Sequence, residues 1–185
     1  MTDSVPVVAV ADATAETAAD CAYDWITPRL AIGGCLDPSS GLASLRGAGI
    51  GAVVDLRVEE ADDAELLGRH DIQLLRLPTR DCCAVSLRAL SRGVAWVNQQ
   101  TRSDRRVYVH CQHGIGRSAL LVACVLVSRS ATPIEALQTL KRARPRVSPS
   151  LPQLRALVRW SRRFHGAALP QQPIGALARV AWSGV

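Results

Sequence analysis

Short apolar runs alternate along this chain with longer stretches in which apolar residues recur at helical spacing. The short runs are rich in β-branched residues and are bounded by glycine, proline or charged residues, which is typical of strands. They predict strands at residues 25–34, 50–56, 72–77 and 107–109, the first ending in a glycine turn. Because residues 50–56 are almost continuously apolar, we expect both faces of the sheet to be covered.

Helices are predicted between and after these strands. The strongest start signal is a capping box at Thr132 and Glu135, with Pro133 at the first helical position. The predicted helices cover residues 59–68, 86–101, 119–127 and 132–144. A further short helix is predicted from a cap at Ser39 or Ser40 to about residue 48, and a last helix from a cap at Ser148 or Ser150 to about residue 160. Strands separated by helices require crossover connections, so the fold class is α/β, with a central, mostly parallel sheet flanked by helices. Ligands of such sheets bind beyond the carboxyl ends of the strands.

Composition and charge limit the classes of function. The chain has 185 residues and 48% hydrophobic residues, which fits one globular domain. Its net charge of +6, carried almost entirely by arginine, favours acidic or phosphorylated partners, although a coding bias toward arginine explains it equally well. Aromatic residues make up only 4%, and basic runs interleaved with aromatic residues are lacking, so we expect no nucleic-acid partner.

The ends of the chain and its cysteines give further expectations. Residues 1–22 are predicted to be a flexible leader, residues 23–165 the folded domain, and residues 166–185 a mildly amphipathic tail. Neither a signal peptide nor an integral membrane segment is indicated, so a cytoplasmic location is expected. The six cysteines lack the spacing of a disulfide framework or a zinc site, so we expect no metal and no cofactor. The oligomeric state stays open.

One stretch, residues 107–118, carries the chemistry. It combines a strand, a loop with two glycines and the start of an apolar helix. Backbone N–H groups of such a loop converge at the positive end of a helix dipole and form a cradle for phosphate or sulfate. Cys111 at the mouth of this cradle is expected to ionise easily, since thiols in such places have pKa values of roughly 3.5–7.5. Arg117 can bind two phosphate oxygens with its planar fork, and Ser118 can donate a hydrogen bond to the sulfur.

Three other interpretations of this stretch remain. A buried structural cysteine beside a glycine turn is the simplest. A sulfurtransferase of the rhodanese type would also place an anion loop after a cysteine. A non-catalytic phosphate-binding module would use the same cradle, but it would lack a catalytic group, and none is missing here.

The segment His110-Cys-x-x-Gly-x-x-Arg117-Ser118 resembles the signature loop of the cysteine-dependent protein tyrosine phosphatases, in particular their dual-specificity branch. The resemblance extends over roughly residues 24–163, although Ser150 stands where the family has an asparagine. It implies a phosphatase domain at 23–165 in which Cys111 attacks phosphorus and His110 orients the loop. The residues implied to bind phosphate are Gln112, His113, Gly114, Ile115, Gly116 and Arg117.

A carboxylic acid is also needed to protonate the leaving oxygen. Asp81 follows a strand at the expected edge of the sheet and lies 30 residues before Cys111, as the general acid does in the family. The alternative is a loop aspartate that bonds its own backbone. Asp55 is the second candidate, although a structural role suits its strand context better. Asp104 is poorly placed, because it precedes the strand whose far end carries Cys111.

The resemblance implies phosphate monoesters as substrates, either phosphotyrosine and phosphoserine or phosphothreonine in proteins or a small phosphomonoester. The alternative is a lipid or inositol phosphate; the loop lacks the lysine that such enzymes often carry.

Two further features of the sequence give separate hypotheses. Cys82 or Cys83 could form a reversible disulfide with an oxidised Cys111. The arginines at 142, 144 and 146 form either a substrate-steering patch or a solvated basic face.

Overall fold

The computed structural model describes residues 23–37, 40–166 and 172–183. The flexible leader predicted for residues 1–22 lies outside the described residues. The strands are β1 (Tyr23–Thr27), β2 (Leu30–Gly33), β3 (Ile50–Arg57), β4 (Gln73–Thr79) and β5 (Arg106–His110). The helices are α1 (Gly41–Gly47), α2 (Ala64–Arg69), α3 (Leu87–Arg102), α4 (Arg117–Ser128), α5 (Pro133–Ala143), α6 (Leu151–His165) and α7 (Ile174–Ala181).

All five strands belong to one mixed sheet with the order β1-β2-β5-β3-β4. Strands β2, β5, β3 and β4 are parallel, whereas β1 is antiparallel to β2. The predicted α/β class and mostly parallel sheet are therefore confirmed. The single strand predicted at residues 25–34 is wrong, because a turn at Pro28 and Arg29 divides it into the β1–β2 hairpin. Proline has no backbone N–H to continue a ladder, and it favours a turn.

Helices cover both faces of the sheet. Helices α1 and α2 enclose a small core on one face, in which Tyr108, Val53 and Leu67 are buried. Helices α3 to α7 enclose the larger core on the other face. Helix α4 runs through this core, and Leu121, Val122 and Ala123 have no exposed surface. This agrees with the apolar character of α4 on all sides.

Helix α2 is shorter than the sequence predicts. The pattern predicted a helix over 59–68, but the helix begins at Ala64, where the Asp63 carboxylate accepts a hydrogen bond from the Leu66 backbone at 2.9 Å. Residues 59–62 form a loop, because their acidic side chains bond to arginine and histidine side chains elsewhere in the fold. These tertiary ion pairs override the preference of acidic residues for a first helical turn.

Helix α7 packs against α5 and α6, and its Leu177 and Ala181 are fully buried in the larger core. The other helix starts follow the predicted signals: Ser86 caps α3, and Thr132 and Glu135 form a complete capping box on α5. Across the described ranges, every helix is too short or too polar to cross a membrane.

Candidate active site

Residues 111–116 form a tight loop between the carboxyl end of β5 and the first residue of α4. Gly114 has a φ of +68°, and a Cβ atom there would come within 2.3 Å of the carbonyl carbon of Gly33. A Cβ on Gly116 would lie 2.6 Å from an oxygen of Gln153. Gly114 is therefore required by its backbone conformation and by its contact with the β2 backbone, whereas a side chain at Gly116 would displace the Gln153 side chain of α6.

The sulfur of Cys111 lies at the base of this loop, and the residue is only 3% exposed. Burial by itself raises the pKa of the Cys111 thiol. Hydrogen bonds from the Ser118 hydroxyl and from the backbone N–H groups of Ser118, Gly114 and His113 outweigh burial, and the pKa of Cys111 lies below its ordinary value. The Ser118 Oγ is 3.4 Å from Sγ. The predicted anion cradle is thus formed, with the sulfur itself inside it.

Arg117 is the first residue of α4, and its side chain is fully buried. Its Nη1 donates to both carboxylate oxygens of Glu59, at 3.0 and 2.9 Å, and to the Thr79 carbonyl at 2.7 Å. Its Nε and Nη2 are buried and have no hydrogen-bond partner among the described residues. These two donors lie on one edge of the guanidinium, the geometry that binds two phosphate oxygens at once.

Asp81 lies in the loop that follows β4 and is more than half exposed. Its Oδ1 is 3.1 Å from Arg117 Nη2, an ion pair without the angle of a hydrogen bond. Asp81 lines a cleft of about 220 Å³ whose other walls include Cys111, His113, Ile115 and Gly116. The structure therefore brings Asp81 and the predicted phosphate loop to one cleft.

Helix α6 anchors the loop that carries Asp81. The Ser150 hydroxyl donates to the Cys82 carbonyl at 2.9 Å, and Gln153 Nε2 donates to the Cys83 carbonyl at 3.0 Å. Ser150 and Gln153 also form the capping box of α6. Cys82 itself lines the cleft, whereas Cys83 is exposed outside it. The disulfide hypothesis for these cysteines stays a prediction.

The other two candidate acids lie elsewhere. Asp55 is fully buried, and its carboxylate accepts hydrogen bonds from the Arg57 backbone and side chain at 2.8 and 3.1 Å. It therefore has the structural role that its strand context predicts. Asp104 is exposed and pairs with Arg29 before β5, at the end of the sheet opposite Cys111.

His110 lies beneath the loop and is also buried. Its Nε2 is 2.8 Å from an oxygen of Asp62, and its ring stacks on Tyr108. Burial by itself raises the pKa of Asp62. The hydrogen bond from His110 and the charge of Arg57 lower this pKa by more than burial raises it, so the pKa of Asp62 lies below its ordinary value. The ligand atoms of Asp55, Asp62 and His110 come within 4.8 Å of one another, a spacing that suits a metal ion. The Arg57 guanidinium, however, bonds to both carboxylates and supplies the positive charge there.

The structure corrects one further interpretation. The sequence groups Arg144 with Arg142 and Arg146, but Arg144 is buried. It donates to the carbonyls of Gly114 and His113 at 3.0 and 3.2 Å and pairs with Asp24 at 2.6 Å. Arg142 and Arg146 are exposed. The Gln112 side chain turns away from the cleft and donates to Cys35 Sγ at 3.3 Å.

Sequence reasoning did not identify Glu59, Asp62 or Arg144 as site residues. Glu59 and Asp62 belong to an acidic run that local rules assign to a helix start. Their partners, Arg117 and His110, are 58 and 48 residues away along the chain, so spacing within the run gives no signal.

Comparison with known proteins agrees with this geometry. Residues 35–163 match the family described as dual specificity phosphatase, catalytic domain. The chain is 30% identical over 142 residues to phosphatidylglycerophosphate phosphatase PTPMT1 of Arabidopsis thaliana. This alignment covers 75% of the chain and 42% of the Arabidopsis protein. It is 32% identical over 127 residues to human dual specificity protein phosphatase 2, in an alignment that covers 68% of this chain and 39% of the human protein.

Solved structures show the same fold. PTPMT1 in complex with PI(5)P superposes with a TM-score of 0.74 at 22% identity, covering 80% of this chain and all of that one. A mouse putative dual specificity phosphatase complexed with zinc tungstate superposes with a TM-score of 0.71 at 26% identity, covering 84% of this chain and 96% of that one.

The chain belongs to the dual specificity phosphatase family. This membership favours phosphatase activity over the sulfurtransferase and over the non-catalytic module. The chain spans about two fifths of the length of the Arabidopsis and human relatives named above.

Proposed function

We propose that this protein hydrolyses phosphate monoesters through a phosphocysteine intermediate. The observation that carries the proposal is the pairing of an ionisable Cys111 with two donors of Arg117 that have no hydrogen-bond partner among the described residues. The Cys111 thiolate attacks phosphorus, so that an S–P bond forms while the bond to the leaving oxygen breaks. Arg117 Nε and Nη2 and the loop N–H groups bind the other phosphate oxygens. These bonds strengthen as charge develops in the transition state.

Asp81 is the proposed general acid. Its carboxyl group donates a proton to the leaving oxygen, and the carboxylate so formed then takes a proton from the water that attacks phosphocysteine. The Ser118 hydroxyl donates to the sulfur as the S–P bond breaks, which stabilises the departing thiolate. The nucleophile Cys111 and the proposed acid Asp81 already line one cleft.

For the substrate, we propose a lipid phosphomonoester whose headgroup phosphate enters this cleft. The proposal is supported by the likeness to phosphatidylglycerophosphate phosphatases from Arabidopsis thaliana, two of which match about three quarters of this chain. Phosphotyrosine and phosphothreonine in proteins form the second candidate, which the likeness to human dual specificity protein phosphatase 2 favours.

Two measurements test the proposal. The first compares the kcat/KM for phosphate release from phosphatidylglycerophosphate in mixed micelles with that for phosphotyrosine and phosphothreonine peptides. The lipid should be preferred; a peptide hydrolysed about tenfold more efficiently would make protein the substrate.

The second measurement uses the variants Cys111→Ser and Asp81→Asn. The serine variant should show no turnover, and quenched reactions of the Asp81→Asn variant with p-nitrophenyl phosphate should contain phosphate bound to Cys111. Full turnover by the serine variant would disprove the phosphocysteine mechanism.

The role of Asp81 has its own measurement. Asp81→Asn should slow alkyl phosphates far more than p-nitrophenyl phosphate, whose leaving group needs little protonation. Equal losses for both substrates would remove Asp81 as the acid.

A further inference from the structure

Charge is distributed very unevenly along this chain. Residues 136–185 carry nine lysines and arginines and no acidic residue, whereas residues 1–135 carry 13 arginines and all 16 acidic residues. The net charge of +6 therefore comes entirely from the last part of the chain. In the fold, this part forms most of α5 together with α6 and α7, and α7 lies outside the residues that match the family domain.

Helix α7 lies between two shallow basic grooves. The groove between α5 and α7 is lined by Lys141, Arg142 and Arg179, and the groove between α6 and the start of α7 by Arg155, Arg159 and Arg162. Among the described residues, no acidic side chain lines either groove. The positive charge is thus spread over three packed helices.

An exposed tryptophan links this face to the active-site cleft. Trp182 follows α7 directly, and 43% of it is exposed. Its indole Nε1 donates to the Pro149 carbonyl at 3.0 Å. Pro149 lies between Ser148 and Ser150, which both line the cleft of Cys111. The indole is therefore fixed at the edge of the cleft, with its apolar ring partly in solvent.

Exposed Arg146 lies two residues before Ser148, so the positive charge continues toward the cleft. Tryptophan is enriched where an apolar environment meets water, as at membrane interfaces, because its ring is apolar and its N–H is polar. Basic side chains beside such an anchor are attracted to anionic lipid headgroups.

We propose that the outer surface of α7, together with Arg142 of α5 and Trp182, docks this protein on an anionic lipid surface. This surface is called the α7 face below. A membrane suits it better than a single acidic peptide, because the charge is spread over two grooves and uninterrupted by acids. The inference deepens the proposed function and rests on it in part, since docking at this face would hold a lipid headgroup beside the cleft.

Sedimentation with vesicles of phosphatidylcholine, with and without phosphatidylglycerol, tests the proposal. The intact chain should bind the anionic vesicles and not the neutral ones, and high salt should release it. The double variant Arg142→Gln/Arg179→Gln should bind anionic vesicles with an affinity lowered about tenfold. A matched control is Arg46→Gln/Arg69→Gln, which removes two exposed charges from α1 and α2 on the other face of the sheet. This control should bind as the unaltered chain does.

Trp182 gives a second measurement. Trp182→Ala should weaken vesicle binding, and the shift of tryptophan fluorescence on adding anionic vesicles should disappear. All these variants should hydrolyse p-nitrophenyl phosphate at the unaltered rate, which shows that the cleft is intact.

Equal binding to both kinds of vesicle, or equal binding by the α7-face and control variants, would overturn the docking surface. Retention on an acidic phosphopeptide without vesicle binding would overturn it too, and would assign the face to a protein partner. The proposed substrate is judged separately. Vesicle binding without hydrolysis of phosphatidylglycerophosphate would disprove the lipid substrate alone, and hydrolysis in micelles without vesicle binding would disprove the docking surface alone.

Discussion

The carboxylate of Glu59 holds the Nη1 atom of Arg117 with both of its oxygens, at 3.0 and 2.9 Å, although the two residues are 58 positions apart. Glu59 and the Thr79 carbonyl occupy Nη1. The other edge of the guanidinium therefore keeps Nε and Nη2 without hydrogen-bond partners among the described residues. Glu59 thereby orients the phosphate-binding group without itself lying among the residues that line the cleft.

Replacing Glu59 by glutamine should therefore impair phosphate binding. A neutral amide cannot accept two charge-assisted hydrogen bonds, so the guanidinium loses its fixed orientation. We expect kcat/KM for p-nitrophenyl phosphate to fall by about ten- to a hundredfold, the usual consequence of a misplaced binding group. Glu60→Gln is the matched control, since Glu60 bonds to Arg57 instead. Similar activity of the two variants would contradict the orienting role of Glu59.

Ser118 should control the ionisation of the nucleophile. Removing the hydroxyl in Ser118→Ala takes away one of the donors that stabilise the thiolate, so the pKa of Cys111 should rise toward the value of an ordinary thiol, about 8.5. The pH dependence of iodoacetamide labelling of Cys111, followed by mass spectrometry, measures this change. The acidic limb of the activity profile should move to higher pH in parallel, and Ser118→Thr should restore both. An unchanged labelling profile would show that the backbone donors suffice.

The pair of Asp62 and His110 should contribute to stability in a pH-dependent way. The pKa of Asp62 in the folded protein lies below its ordinary value, so its charge stabilises the fold above the unfolded pKa of about 3.9 and the contribution is lost as the pH falls further. Asp62→Asn should therefore lower the free energy of unfolding by about 1–2 kcal/mol near pH 7.

Urea denaturation of Asp62→Asn and the unaltered chain across pH 3–7 measures this contribution. The difference should stay constant between about pH 5 and 7 and shrink below about pH 4. The exposed Asp71 provides a control in Asp71→Asn. A difference that grows toward acid would contradict the assignment.

Ser150 should act on the first chemical step through the Asp81 loop. Its hydroxyl fixes the Cys82 carbonyl, next to Asp81, so Ser150→Ala should loosen the loop that carries the proposed acid. We expect kcat for alkyl phosphates to fall by roughly two- to tenfold, as general acid–base catalysis weakens. The loss with p-nitrophenyl phosphate should be smaller, because its leaving group needs little protonation. A uniform loss for both substrates would indicate damage to the phosphate loop instead.

The sequence by itself determined the chemistry of the centre. The strand, two glycines, Cys111, Arg117 and Ser118 lie within twelve consecutive residues, and local rules for strands, turns and helix starts are sufficient to place them. The same rules predicted the α/β class and the start of α5. The single strand predicted at residues 25–34 overlooked the turn at Pro28 and Arg29, although proline there favours a turn.

Only the tertiary structure decided how the centre is supported. Glu59 and Asp62 look like the first turn of a helix, yet they bond to Arg117 and His110, and Arg144 looks like a surface charge, yet it is buried against the carbonyls of the phosphate loop. The reason is that an ion pair is specified by proximity in space, and parallel strands bring together residues that are far apart in the chain. The pattern within each segment therefore carries no record of its partner.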